Sequence, residues 1–234
     1  MCKIFYDDGK GLLKIFAKMM QEFEVDSKFP SLTRSIKRFN FDDVYTDVLE
    51  YHEHIMDYKE EYDNYISENI LVGNEVVDRY KAEESLQFKW NKNCNEGRRL
   101  FEVCNDAWAI RVITNLTVFE LQNEINKIRL MAEELQYKIE IVDFYKQPKN
   151  DGYMGIHVYF KNNSRCYPVE MQFWTRRDWF LQRYTHEVIY KQDYNESTVA
   201  YSMDLRKWVD SIPNCPIGVD SFIDYYYEII SSIN

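Results

Sequence analysis

The chain predicts an α+β fold, a mixed β-sheet with helical extensions at both ends, and three observations predict it. Apolar runs of strand length recur between residues 107 and 173. Apolar and aromatic residues at three- and four-residue steps mark helices before and between those runs. The 234 residues, 45% of them apolar, suffice for one domain with helical additions or for two small ones.

The elements follow in order. A first helix is predicted over residues 12–23, broken near Phe29-Pro30. From Phe41 to Ile66, the residues Val44, Val48, Tyr51, Ile55, Tyr58, Tyr62 and Tyr65 keep helical spacing, and their aromatic stripe reads as core. The pattern shortens over residues 70–77 to a strand or turn. A helix covers about residues 82–92. There Lys81, Ser85 and Lys89 form one polar stripe, and Ala82, Leu86 and Trp90 the apolar one. Strands are predicted at residues 107–113, 138–144, 155–161 and 165–173, with a helix over 118–135 between the first two. Residues 177–191 and 219–233 read as helices.

Charge is unevenly distributed. The net charge is −10, yet residues 79–191 carry 18 Lys/Arg against 15 Asp/Glu, while residues 1–78 carry 9 against 17. An anionic ligand is steered to the middle of the chain. Cys2, Cys94, Cys104, Cys166 and Cys215 are scattered without zinc-ligand spacing and read as reduced, mostly buried thiols. With no apolar run of about 18 residues and no signal-peptide pattern, a cytosolic protein without a membrane segment is expected.

The chemistry concentrates in two stretches. Lys149-Asn-Asp-Gly152-Tyr153 is a tight turn that brings backbone N–H groups and Lys149 near anionic oxygens, and Tyr153 offers a ring for base stacking. His157 lies on the next strand. On the strand after it, alternation sends Tyr167, Val169, Met171 and Phe173 to the core and Glu170, Gln172 and Trp174 to the site. Asp106 and Glu170, from separate strands, can share Mg²⁺, which favours one or two carboxylates plus substrate phosphates. Arg79, Lys81, Ser85, Lys89 and Arg111 supply enough donors to hold a triphosphate. Taken singly, Asp106 also fits a turn cap, Glu170 a surface ion pair, His157 a structural histidine and the Lys81 stripe a solvated face.

These residues stand in five ordered motifs: Arg79-x-Lys81-x-x-x-Ser85-x-x-x-Lys89; Asp106-x-x-Ala109-x-Arg111; Pro148-Lys149-x-x-Gly152-Tyr153-x-x-x-His157; Val169-Glu170-x-Gln172-x-x-Thr175; and His186-x-x-x-Tyr190-Lys191. Together they resemble the RelA/SpoT synthetase domain over about residues 70–192, and the chain's size resembles a small alarmone synthetase. The resemblance implies a nucleotidyltransferase-like pyrophosphokinase core at 70–192, flanked by helical regions at 1–69 and 193–234. It implies a stringent-response activity that transfers pyrophosphate from ATP to the 3′-hydroxyl of GDP or GTP, making (p)ppGpp-type alarmones and releasing AMP. By motif position, Arg79, Lys81, Ser85, Lys89 and Arg111 would bind ATP. Asp106 and Glu170 would hold Mg²⁺, with Glu170 also activating the hydroxyl. Tyr153 would stack on the acceptor base, Lys149, His157 and Gln172 would fix its phosphates or ribose, and His186 and Tyr190 would brace the site. None of the four histidines is followed by Asp, so the family's hydrolase activity is not expected.

Two positions depart from the housekeeping pattern: Gly155 stands where Ser is usual and Trp174 where Arg is usual. Arg176 or Arg177 is the candidate replacement cation, and Trp174 a candidate surface for stacking. These departures resemble the toxic branch of the family, which implies a tRNA 3′ end as acceptor and a protein antitoxin as partner. Arg98/Arg99 or Arg176/Arg177 are the pairs that could then hold the RNA backbone. An inactive nucleotide-binding regulatory module is the third reading. Related small synthetases also imply homo-oligomers as a state to test.

Overall fold

A computed structural model describes residues 3–23, 31–147, 149, 152–162, 164–185 and 195–211. Strands β1 (Glu75–Tyr80), β2 (Trp108–Thr114), β3 (Ile139–Asp143), β4 (Ile156–Phe160) and β5 (Val169–Thr175) form one sheet in the order β1-β2-β5-β4-β3. β2 and β5 run parallel, and the other neighbours are antiparallel. Helix α6 (Val118–Glu134), opened by a capping box between Thr117 and Glu120, carries the chain from β2 to the far edge at β3.

Strand alternation gives the sheet two different faces. One carries Trp108, Ile110, Val112, Val158, Phe160, Val169, Met171 and Phe173, all buried in a single core. Helices α1 (Lys10–Glu22), α2 (Phe41–Met56), α3 (Lys59–Asn69) and α6 cover it. Phe16 of α1 meets Trp108 and Phe160 edge-on at 5.8 and 5.7 Å, and Tyr62 of α3 meets Trp108 at 5.5 Å. The aromatic stripe of residues 51–65 is core, as the periodicity predicts. The opposite face carries Arg79, Ala109, Glu170 and Tyr159 in one cross-strand row and Arg111, Gln172 and His157 in the next.

Several elements differ from expectation. The single helix predicted over residues 41–66 is two helices. Asp57 and Tyr58 N–H turn back to His54 and Ile55 carbonyls, tightening the last turn, and the Tyr58 hydroxyl is drawn to Glu22. β1 begins later than residue 70, so Arg79 lies inside it. Lys81 is not on a helix, because its N–H extends the β1–β2 ladder to the Ala107 carbonyl at 3.0 Å, and α4 (Glu83–Cys94) starts after it. Leu86 and Trp90 are buried on α4 as expected. A short α5 (Leu100–Val103) precedes β2, and β5 reaches Thr175, placing Trp174 within the strand. Of the helix predicted at 177–191, α7 (Arg176–Arg183) is seen, and residues 186–191 lie outside the described residues. A further helix, α8 (Glu196–Ser211), follows, inside the region 193–234 expected to be helical but where no separate helix is predicted at these residues. The helix predicted at 219–233 lies outside the described residues. No helix among the described residues is long and apolar enough to cross a membrane. Cys94, Cys104 and Cys166 are free thiols, and burial pushes Cys104 up to about 12.

Candidate active site

The polar face of the sheet floors two adjoining cavities. The larger, about 930 Å³, is walled by α4 and includes Lys81, Ser85, Phe88, Lys89, Arg98, Asp106, Tyr159 and Glu170. The smaller, about 180 Å³, takes Arg111, Tyr153, Trp174 and, from α7, Trp179, Gln182 and Arg183. Arg79, Lys149, His157 and Gln172 line both. Ala109 sits between Arg79 and Glu170 in the floor, and its small side chain leaves the row open between them. Sequence alternation brings the predicted residues to this one face. It does not separate them into two compartments, and Arg111 joins Tyr153 and Trp174 rather than Lys81, Ser85 and Lys89.

Asp106 lies two residues before β2, in the turn whose Ala107 carbonyl is held by His52 Nε2 of α2 at 2.8 Å. Its carboxylate is ringed by cations: Lys81 Nζ at 2.6 Å, Lys89 Nζ at 3.1 Å and Arg79 Nη2 at 3.6 Å. Burial alone would raise its pKa, but Lys89, Lys81 and Arg79 outweigh burial and bring the carboxyl to about 2. Asp106 is therefore a buried anion holding three cations in the wall of the larger cavity. The buried Nε of Arg79 has no hydrogen-bond partner among the described residues. A ligand oxygen arriving there would satisfy it.

Glu170 is 3% exposed and held by side chains on its own face. Gln172 Nε2 donates to its Oε2 at 2.6 Å, His157 Nδ1 lies 3.0 Å from its Oε1, and the Tyr159 hydroxyl bonds it as well. His157 Nδ1 also lies 3.1 Å from the Tyr159 hydroxyl, and its Nε2 pairs with the Tyr153 hydroxyl. Both nitrogens of His157 are thus engaged within the protein, linking Tyr153 to Glu170. Tyr153 meets Phe144, His157 and Trp174 edge-on, with Lys149 Nζ 4.4 Å from its ring centroid. Burial, with Glu170 nearby, pushes its phenol upward, so it stays a neutral ring.

The two departures from the housekeeping pattern touch each other. Gly155 has φ +146°, and a Cβ built there would stand 2.6 Å from Trp174 Nε1 and 2.9 Å from its Cδ1. Trp174 donates to the Met154 carbonyl at 2.9 Å and stacks at a tilt on Trp179 with centroids 5.3 Å apart. The Arg111 guanidinium lies 5.8 and 5.2 Å from these two ring centroids. Trp174, 2% exposed, is therefore a packed wall and not the open stacking surface expected of it. Arg176 is also not the replacement cation, because its guanidinium bonds Asn115 Oδ1 and the Gly73 carbonyl, outside both cavities. Arg183, one turn beyond Trp179, lines the smaller cavity. Its cation could be found only by knowing that α7 crosses the end of β5. Phe88 was also missed. It is 71% exposed, an apolar ring on the wall of a polar cavity, and an i+3 neighbour of Ser85.

Among the described residues no group of three or more His, Cys, Asp and Glu gathers as a metal cage. Asp106 and Glu170 on one cavity fit a cation that completes its shell with substrate oxygens and water, as Mg²⁺ does. His186 and Tyr190 lie outside the described residues.

A family profile described as "Region found in RelA / SpoT proteins" matches residues 78–195. A search of curated proteins returns no match. Among solved structures, the small alarmone synthetase 1 of Bacillus subtilis bound to its product pppGpp is 15% identical, over 80% of this chain and 94% of that one, with TM-score 0.41. A GTP pyrophosphokinase family protein of Streptococcus pneumoniae is 19% identical over 72% and 88%, with TM-score 0.41. The complex between the Type VI effector Tas1 and its immunity protein gives 15% identity over 82% and 96%, with TM-score 0.37.

Proposed function

The chain belongs to the RelA/SpoT family, and from that premise we propose that it is an ATP-dependent pyrophosphokinase acting on the 3′-hydroxyl of a guanosine nucleotide. One observation carries the reading. Two buried carboxyl side chains, Asp106 and Glu170, line a cavity whose cations continue into a second, aromatic one.

ATP occupies the larger cavity, with its triphosphate on Lys81, Lys89, Ser85 and Arg79. Lys81 and Lys89, closed on Asp106 here, turn to phosphate oxygens as the nucleotide enters. Asp106 and Glu170 would hold Mg²⁺, which when bound would neutralise phosphate charge. The smaller cavity contains Arg79, Arg111, Lys149 and Arg183 and, among the described residues, no carboxylate, so it favours an anion. Its volume of about 180 Å³ is below the roughly 300 Å³ at which ligand pockets begin, so it seats one part of the acceptor. Arg79, Lys149, His157 and Gln172, common to both cavities, fix the two substrates relative to each other, and positioning supplies most of the rate. The 3′-oxygen attacks the β-phosphorus and the bond from that phosphorus to the oxygen bridging the α-phosphate breaks. AMP departs carrying that oxygen. The hydroxyl proton passes to a Glu170 carboxylate oxygen, which His157, Tyr159 and Gln172 keep facing the acceptor.

The test is transfer of label from γ-labelled ATP with Mg²⁺ to GDP, GTP or deacylated tRNA, with Glu170→Gln as control. Label in a guanosine nucleotide, absent with the variant, supports the proposal. Label confined to tRNA replaces it with the RNA-modifying reading, and no transfer to any acceptor leaves the inactive binding module.

A further inference from the structure

Helix α8 lies beyond the family match, which ends at residue 195, yet it reaches the turn that carries Lys149 and Tyr153. Arg206, on α8, is 8% exposed. Its Nε donates to the Gly152 carbonyl at 2.9 Å, and its Nη1 to Asp178 Oδ1 at 2.6 Å. Asp178 is fully buried near the start of α7, and its Oδ2 accepts the Tyr145 hydroxyl at 2.8 Å and the Thr175 hydroxyl at 2.7 Å. One buried ion pair thus joins the end of β3, the turn at Gly152, the β5–α7 junction and α8. The fit is close at Gly152 too. The residue has φ +76°, and a Cβ there would lie 2.8 Å from Met203 Sδ of α8.

We infer that Arg206 is a positioning residue for the acceptor turn: its fork fixes the Gly152 carbonyl against Asp178 and so sets where Lys149 and Tyr153 stand. Arg206 lines neither cavity and touches no proposed substrate position. It acts through the turn, and the geometry explains why Arg is needed. A buried carboxylate and a carbonyl on two different segments are met at once by a planar guanidinium with separated N–H groups, whereas a Lys ammonium offers only a single point. Asp178 stays ionised in the fold. Burial opposes its charge, but Arg206 and the hydroxyls of Thr175 and Tyr145 hold its pKa below the ordinary value.

The kinetic arm rests on the acceptor reading of Lys149 and Tyr153, and a second arm does not. In Arg206→Ala of the full chain, amide hydrogen exchange in residues 144–155 is expected to rise about tenfold or more relative to wild type, with β2 and β5 unchanged. The KM for the acceptor nucleotide is expected to rise about tenfold while the KM for ATP stays within about twofold. Arg206→Lys, which keeps the charge, is expected to recover the Asp178 contact and only part of the acceptor affinity. It also serves as the test variant should Arg206→Ala fail to fold. Unchanged exchange in the turn, equal rises in both KM values, or full recovery by Lys overturns the inference. Should wild-type protein transfer no pyrophosphate, the functional proposal falls alone and the exchange comparison still decides the role of Arg206.

Discussion

Gly155→Ala tests the contact between the two departures from the family pattern, and its cost can be worked from the structure. The first part is backbone. At φ +146° a residue with a Cβ is strained by about 1–3 kcal/mol. The second part is contact. The new methyl would stand 2.6 Å from Trp174 Nε1, so the indole must shift. Its hydrogen bond to the Met154 carbonyl is then lost, at about 1 kcal/mol. The sum is roughly 2–4 kcal/mol, and for a chain of this size it lowers the melting temperature by roughly 5–15 °C. Calorimetry on wild type, Gly155→Ala, Trp174→Ala and the double variant separates the two parts. With the indole gone the methyl has nothing to displace, so the double variant should be more stable than the two single costs predict by about 1 kcal/mol or more. A Gly155→Ala protein that melts with wild type, or two strictly additive substitutions, would refute the reasoning.

Asp106, held at about 2 against an ordinary 3.8, contributes stability on the order of 2 kcal/mol above the ordinary value. The depressed pKa means this stability is lost as pH falls from about 4 through about 2. In Asp106→Asn, urea denaturation should show that part of the acid sensitivity gone, and the label assay should show transfer lost. Phe88→Ala should leave the melting temperature unchanged, since the ring is exposed. If Phe88 stacks on the donor base, calorimetric titration should show ATP binding weakened by about 1 kcal/mol, roughly fivefold. Arg183→Gln should likewise preserve stability but raise the acceptor KM by about tenfold, and an unchanged KM would remove Arg183 from the site.

How much of this was readable in the chain depends on whether the signal is local. The two faces of β4 and β5 are written directly in alternation, so Val169, Met171 and Phe173 in the core and Glu170 and Gln172 on the floor follow from sequence alone. The break between α2 and α3 is not written that way, because Tyr58 and Tyr62 keep helical spacing across it. The break coincides with a tertiary contact, Tyr58 to Glu22, that no local spacing encodes. Lys81 was misplaced because strand pairing to Ala107 is a non-local bond that outweighs its spacing to Ser85. Helix α8 had one signal, Asn195, whose Oδ1 caps the N–H groups of Ser197 and Thr198. The burial of Arg206 had none, since charged residues in a polar helix ordinarily read as solvated. Arg183 and Trp179 entered the site through the crossing of α7, which no motif encodes.

The floor of the site and the packing of the N-terminal helices are two sides of the same five strands. Trp108, which touches Phe16 and Tyr62, is the immediate neighbour of Ala109 in the floor. A loss of about 1–2 kcal/mol anywhere among Ile4, Phe16, Tyr51 or Tyr62 therefore raises the unfolded fraction of site and core together, and in a cell it changes abundance several-fold. In a genetic screen scored on activity, such residues would appear beside Asp106 and Glu170 as equally essential. Only the amount of folded protein in each mutant would separate those that build the enzyme from those that operate it.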